Sequence, residues 1–347
     1  MLNERCGWMK VTKIANGRAL YVEPKRIWIA QGMTFFAIDY SGKRISRKYK
    51  AGNVFKKLVS LCFVSRQMLR EGYHHMLKLE NGTILITARK KTYIFNADGT
   101  IRNTFSGYLG NKPASQGICR TPDGTIFFGE YTINLQHNND THLYRSMDNG
   151  KSFQVILTFP KTVRHIHFIK YDKFEKCIWL GTGDADDESM LMKSYDNGDT
   201  WETVGKGSQD WRAIGVCCSQ DKLLWGTDAG SVPDQNHINT MDRKTCELHT
   251  IYDVEGPCHG SASFKDGRIF ISTGVEGGEN EKDRFARLKE ISDGKIIEHL
   301  KMKKSLFPFI MQYGVMRFPF GTENIDRVVF TAMGLNKGLE SVYVEEK

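Results

Sequence analysis

The chain of 347 residues carries 49 Lys and Arg against 40 Asp and Glu, a net charge of +9, with 40% hydrophobic residues, 33 Gly and only 8 Pro. No run of 18 apolar residues is present to cross a membrane as a helix, and the opening Met1–Lys10 lacks the apolar core of a signal peptide. High glycine with low proline fits many short strands joined by tight turns. Trp8–Ala15 alternates apolar and polar residues, as a half-buried strand does. Gly17–Val22 and Arg26–Gln31 form the first predicted pair. His75–Leu79 turns at Asn81-Gly82 into Thr83–Ala88, and Tyr93–Asn96 turns at Asp98-Gly99 into Thr100–Phe105. Gln116–Arg120 turns at Asp123-Gly124 into Thr125–Glu130. His165–Lys170 leads to Cys177–Thr182, and Arg212–Cys218 turns at Gln220-Asp221 into Lys222–Thr227. Gly260–Phe264 turns at Asp266-Gly267 into Arg268–Thr273, and Arg287–Ile291 turns at Asp293-Gly294 into Lys295–Leu300. Tyr313–Phe318, Arg327–Ala332 and Ser341–Val344 complete the series. Asn-Gly and Asp-Gly between alternating segments are strong hairpin signals.

Within this series the octapeptide S-M-D-N-G-K-S-F at Ser146–Phe153 returns 48 residues later as S-Y-D-N-G-D-T-W at Ser194–Trp201. Each residue has a job in a tight turn. Asp148 and Asp196 can accept from backbone N–H groups, Gly150 and Gly198 tolerate a positive φ, and Ser146 and Ser194 can close the turn. Phe153 and Trp201 restart a strand and bury a large ring between neighbouring units. A period in the forties is that of a four-stranded propeller blade. Two copies of S-x-D-x-G-x-(S/T)-(F/W) resemble the Asp-box (BNR) repeat of the sialidase-like β-propeller superfamily. The resemblance implies an all-β fold, a single β-propeller domain over residues 1–347, with the boxes structural and at the blade periphery. The count of strand groups gives seven four-stranded blades, with six as the alternative. The last blade is short, and the N-terminal strand Trp8–Ala15 is expected to close it. The family's F/Y-R-I-P segment is absent, so no sialidase catalytic residue is assigned by resemblance.

Charge is unevenly spread. Residues 1–120 hold 22 Lys and Arg against 6 Asp and Glu, a net +16, and the remainder holds 27 against 34, a net −7. Such a basic third suits a solvated face or a polyanion: an acidic polysaccharide, an anionic membrane surface or a protein partner. Nucleic acid is not expected, because no nucleic-acid module accompanies the basic residues. Residues 54–70 break the strand pattern, with apolar residues at 55, 58, 59, 62, 63 and 69 and cations at 56, 57, 66 and 70. This is a helical stripe, predicted as an insertion that packs over the propeller or lies on an anionic surface. Eight cysteines lack zinc-knuckle spacing, and several lie inside apolar strands. They read as free thiols in a reducing compartment, so a cytoplasmic location is expected.

Propeller ligands sit where the innermost strands begin and the second strands end. The strand starts supply His75, His165, His167, Arg212, His259 and Tyr313. The second-strand exits supply Arg89, Glu130, Tyr131, Asp184, Asp228 and Glu276. Acids recur after glycine in F-G-E at Glu130, G-T-G-D at Asp184 and G-T-D at Asp228. His165 and His167 share one strand face. A mixture of His, Tyr, Arg and carboxylate suits an acidic sugar, with Arg212 as carboxylate clamp and His167 moving protons beside Glu130 and Asp184. No cofactor is assigned. Three histidines with a carboxylate could bind a divalent metal, but no local H-x-x-x-H motif points to one. The functional expectation is a hydrolase or lyase acting on an anionic, uronic or sialic acid-like glycan. The alternatives are a non-catalytic glycan-binding or sensing propeller in polysaccharide assembly, and a protein-interaction scaffold.

Overall fold

The computed structural model describes residues 5–6, 9–52, 54–230, 236–278, 281, 283–292 and 294–346. Its secondary structure is almost entirely antiparallel sheet. Seven sheets are present among the described residues, each built on four strands, and the chain is a seven-bladed β-propeller. The chain divides into two compact units, one of residues 1–74, 230–238 and 250–347 and the other of residues 75–229 and 239–249.

The first unit contains the blade of Arg18–Glu23, Arg26–Gln31, Thr34–Ile38 and Tyr49–Lys50. A second blade runs from Cys258–Ser263 to Lys295–Lys303, and Arg5–Cys6 pairs parallel to its outer strand. The last blade has Val315–Arg317, Val329–Leu335 and Gly338–Glu345 in order, with Val11–Asn16 as its outermost strand. Val11 pairs with Glu345, Lys13 with Tyr343 and Asn16 with Ser341. The expected N-terminal strand is therefore found; Trp8 itself lies outside the described residues. Val11, Ile14 and Ala15 pack against the core formed by Val329, Phe330, Val342 and Tyr343. The Asp293 turn position likewise falls outside the described residues.

Residues 54–70 form two short helices, Val54–Leu61 and Phe63–Met68. They are anchored within their own unit by the Ser60 hydroxyl, which accepts from the Met33 N–H at 3.2 Å, and by the Phe63–Phe307 ring contact at 5.2 Å. Their outer face leaves Val54, Phe55, Leu58 and Met68 exposed. No helix of the described residues is long and apolar enough to cross a membrane.

The second unit contains the blades Met76–Phe105, Ile118–Phe159 and His165–Lys206. The remaining sheet runs in the order Cys217–Cys218, Lys222–Gly226, His237–Asp242 and Leu248–Asp253. Both octapeptides form the hairpin turns between the third and fourth strands of their blades. Asp148 Oδ1 accepts from Ser146 Oγ at 2.8 Å, Lys151 N at 2.9 Å and Ser152 N at 3.0 Å, and Oδ2 accepts from Ser152 Oγ at 2.6 Å. Asp196 repeats the pattern with Ser194, Thr200 N and Thr200 Oγ1. Asn149 and Gly150, at φ 61° and 80°, take the left-handed conformations that the turn requires. Phe153 stacks on Phe105 of the neighbouring blade at 4.3 Å, so the half-buried aromatic does pack between units of the repeat.

Partial burial opposes ionisation of Asp148, but the Ser152 and Ser146 hydroxyls and the backbone donors outweigh it and hold the carboxyl down to about 2. At Asp196 the Thr200 hydroxyl and N–H lead the same effect, also to about 2. A folded value below the unfolded one, about 3.9, adds stability that is complete above that value and lost as pH falls through about 2. Asp148→Ala is expected to lower stability at pH 7 by about 1–2 kcal/mol. Chemical denaturation at pH 7 and at pH 2.5 checks this: the gap between parent and variant should shrink in acid. A gap independent of pH would remove the carboxylate from the turn's energetics. Cys62, Cys119, Cys177, Cys217, Cys218, Cys246 and Cys258 are free thiols.

Candidate functional site

The polar centre of the second unit is built on His165–Asp172 and Cys177–Gly183. The register of this pair slips between Ile166 and Phe168, a bulge at His167. Bulges re-aim side chains, and here the His167 ring is brought to 4.8 Å from that of His165. The glycines of G-T-G-D make the room. A Cβ on Gly183 would lie 2.6 Å from the His167 ring and 3.2 Å from Arg212, and one on Gly181 would lie 2.1 Å from Phe168. Asp184 follows at once, its carboxylate turned onto both imidazoles.

Asp184 Oδ1 lies 3.2 Å from His165 Nε2, 3.2 Å from His167 Nε2 and 2.8 Å from an Arg212 terminal nitrogen. Its Oδ2 lies 3.5 Å from Arg164. The same Arg212 nitrogen is 3.6 Å from Asp228. Glu188 is buried and supports this group from behind: it accepts from the Arg164 N–H at 2.9 Å and side chain at 3.0 Å, and it meets His137 at 3.0 Å. Tyr131 is 37% exposed and its ring lies 4.2 Å from that of His165. Burial pushes His167 down to about 4, so it is neutral at pH 7. Burial also opposes the Asp184 charge, but the contacts from His165 and His167 win and hold its carboxyl far below the ordinary range. Asp184 is an anion at neutral pH.

The structure thus brings together His165, His167, Asp184, Arg212, Asp228 and Tyr131. Glu130 is placed differently: its oxygens accept from Leu109 N, His142 N and Tyr144 Oη, and they meet His142 Nδ1 at 2.9 Å. It is buried, and these contacts tie down the loop before it rather than serving Asp184. His75 is buried against the Thr87 hydroxyl at 2.8 Å. Arg89 is half-buried beyond the end of Ile84–Ala88. In the first unit, His259 meets Glu276 at 2.9 Å, with the Tyr313 ring 6.2 Å away. Gly274 leaves space for the His259 ring there. Arg164, Glu188 and His137 complete the Asp184 centre although no residue pattern singled out the last two.

Two clusters in the second unit offer three metal-ligating atoms within 4.8 Å of one another: His165, His167 and Asp184, and Asp172, Glu175 and Cys177. The latter is already filled by Arg243, 2.6 Å from Asp172 and 2.8 Å from Glu175. It is an ion-pair network.

No family model and no curated protein matches the sequence. Solved structures do resemble the fold. A streptogramin B lyase superposes with a TM-score of 0.61 at 13% identity, covering 97% of both chains. An oligogalacturonate lyase in complex with manganese gives 0.59 at 12% identity, over 99% of this chain and 96% of that one. The WD40 propeller domain of Doa1 gives 0.58 at 9% identity over 98% of each chain. At these identities the likeness shows the β-propeller fold, a scaffold that hosts many functions.

Proposed function

We propose that the chain is a carbohydrate-active propeller of the sialidase-like repeat superfamily that cleaves an anionic, uronate-containing glycan by β-elimination. The observation that carries this reading is the Asp184 centre, where two guanidinium groups and two imidazoles surround one carboxylate. Arg212, whose terminal nitrogens meet the Asp184 carbonyl, Gln209 Oε1 and Asp184 Oδ1, is the cation beside which a sugar carboxylate would bind. Neutralising that carboxylate acidifies the neighbouring C5 hydrogen, the first need of an elimination. Hydrolysis by paired carboxyls needs one that holds a proton near neutral pH. Asp184 stays ionised, and the oxygens of Glu130 already meet several donors. A fold neighbour is described as an oligogalacturonate lyase, so the scaffold is compatible with this chemistry.

In the elimination a base takes the C5 proton, and the C5–H electron pair becomes the C4=C5 double bond. The C4–O bond breaks, its pair leaves on the departing sugar oxygen, and that oxygen takes up a proton. His167 is only 3% exposed and suits an orienting role. Tyr131 is the exposed phenol of the cluster, and we assign it the proton transfer. Tyr131→Phe is expected to slow turnover by about 100-fold or more, with glycan affinity within about twofold. The ultraviolet absorbance of the unsaturated product reads the rate, and calorimetry reads the affinity. Undiminished turnover in Tyr131→Phe would take the proton transfer away from this residue.

A further inference from the structure

His165 Nδ1 lies 2.8 Å from the Thr132 carbonyl oxygen, and His167 Nδ1 lies 3.2 Å from that of Ala213. A carbonyl oxygen only accepts, so each Nδ1 donates to its carbonyl. A ring so held turns its other nitrogen, Nε2, away from that carbonyl and toward the cluster. The two Nε2 atoms face one another at 2.9 Å, and both stand 3.2 Å from Asp184 Oδ1. Two imidazole nitrogens and one carboxylate oxygen therefore converge on one point. Two of them are buried, where such crowding is costly unless positive charge sits among them.

The spacing identifies the charge. Ligand atoms mutually cis on a metal, each at about 2.0–2.2 Å from it, stand about 3 Å apart. The observed separations of 2.9, 3.2 and 3.2 Å are those of one triangular face of such a site. An Nδ1–H fixed on a backbone carbonyl is the usual outer support of a metal-bound histidine, and here both rings have it. Arg212, 2.8 Å from Asp184 Oδ1, steadies the carboxylate from outside.

We propose that His165 Nε2, His167 Nε2 and Asp184 Oδ1 hold one divalent transition-metal ion as a facial triad, leaving the opposite positions open to ligand oxygens. Two imidazole nitrogens and one carboxylate favour manganese, iron or zinc over magnesium and calcium, which prefer oxygen donors. The inference deepens the glycan-lyase reading of the same site, since the ion supplies a second positive partner for a uronate carboxylate.

The test uses the full chain, stripped with a chelator, dialysed and titrated with Mn(II) and with Zn(II) without any glycan. Calorimetry and the Mn(II) paramagnetic resonance spectrum count bound ions, and the thermal midpoint is followed in parallel. One ion per chain and a raised midpoint are expected. His165→Gln and His167→Gln should each weaken binding by about 100-fold or more, with Asp184→Asn as the variant that keeps the side-chain shape. The exposed His249→Gln should bind as the parent does, and circular dichroism establishes that each variant is folded. Absence of saturable binding to the folded parent, or unchanged binding in a folded His165→Gln/His167→Gln double variant, overturns the site. Glycan cleavage by a protein that shows no saturable Mn(II) or Zn(II) binding would overturn the metal site and leave the lyase reading standing. Metal binding without any glycan binding would do the reverse.

Discussion

Arg212→Ala is expected to weaken binding of an acidic oligosaccharide by about 2–4 kcal/mol, roughly 30- to 1,000-fold. Arg212 touches Asp184 Oδ1 at 2.8 Å and reaches Asp228 at 3.6 Å, and its side chain is 15% exposed. Its charge therefore acts in a partly desolvated setting, where losing one partner leaves the other anion uncompensated. The substitution removes the proposed cationic partner of the sugar carboxylate and the closest cation on Asp184. Arg212→Lys should recover part of the affinity, because an ammonium keeps the charge but not the planar geometry. Titration calorimetry against one oligosaccharide, with the carboxyl-reduced neutral sugar as reference, reads the effect. Full affinity in Arg212→Ala would remove this residue from the binding site.

The second large effect concerns the last blade. Deleting residues 1–16 removes the strand paired at five positions with Ser341–Glu345. It also strips Val11, Ile14 and Ala15 from the core of that unit. Lost ladder bonds and exposed apolar surface together amount to about 3–5 kcal/mol. A midpoint lower by about 4–7 °C is expected, with a tendency to aggregate through the uncovered edge of Gly338–Glu345. Scanning calorimetry with light scattering checks both. An unchanged midpoint would mean that the strand contributes nothing to the blade.

Much of the fold was legible because glycine-containing turns punctuate the chain. Arg26–Gln31 and Cys177–Gly183 match their predicted strands to within a residue. Arg212–Cys218 does not: only Cys217–Cys218 is strand there. Gln209–Trp211 forms a 3₁₀ turn, and Arg212 takes φ −78°, ψ 77°, so that Trp211 stacks on Trp225 at 5.9 Å. An alternating pattern cannot reveal a turn dictated by one tryptophan's packing against another.

The site was legible to the same depth. His165, His167, Asp184 and Arg212 follow from their places at strand starts and exits, and G-T-G-D marks a crowded approach that side chains would block. The acid-after-glycine pattern grouped Glu130 with Asp184, yet its oxygens serve Leu109, His142 and Tyr144. Local sequence shows where a carboxylate starts, not which donors reach it from distant loops. Glu188 was hidden for the opposite reason. In D-A-D-D-E it looks like a solvated loop acid, but it turns inward to take Arg164 and His137. The metal triad depends on a bulge at His167 and on two carbonyls, from residues 132 and 213, that no spacing rule connects to it.

The most direct measurement is a mass-resolved digest of uronate-containing oligosaccharides by the full chain. Elimination conserves mass, so each pair of fragments should sum to the parent oligosaccharide, and one fragment should carry the unsaturated, absorbing end. Fragments that together gain one water per cleaved bond, or an intact substrate that the protein also fails to bind, would contradict the account.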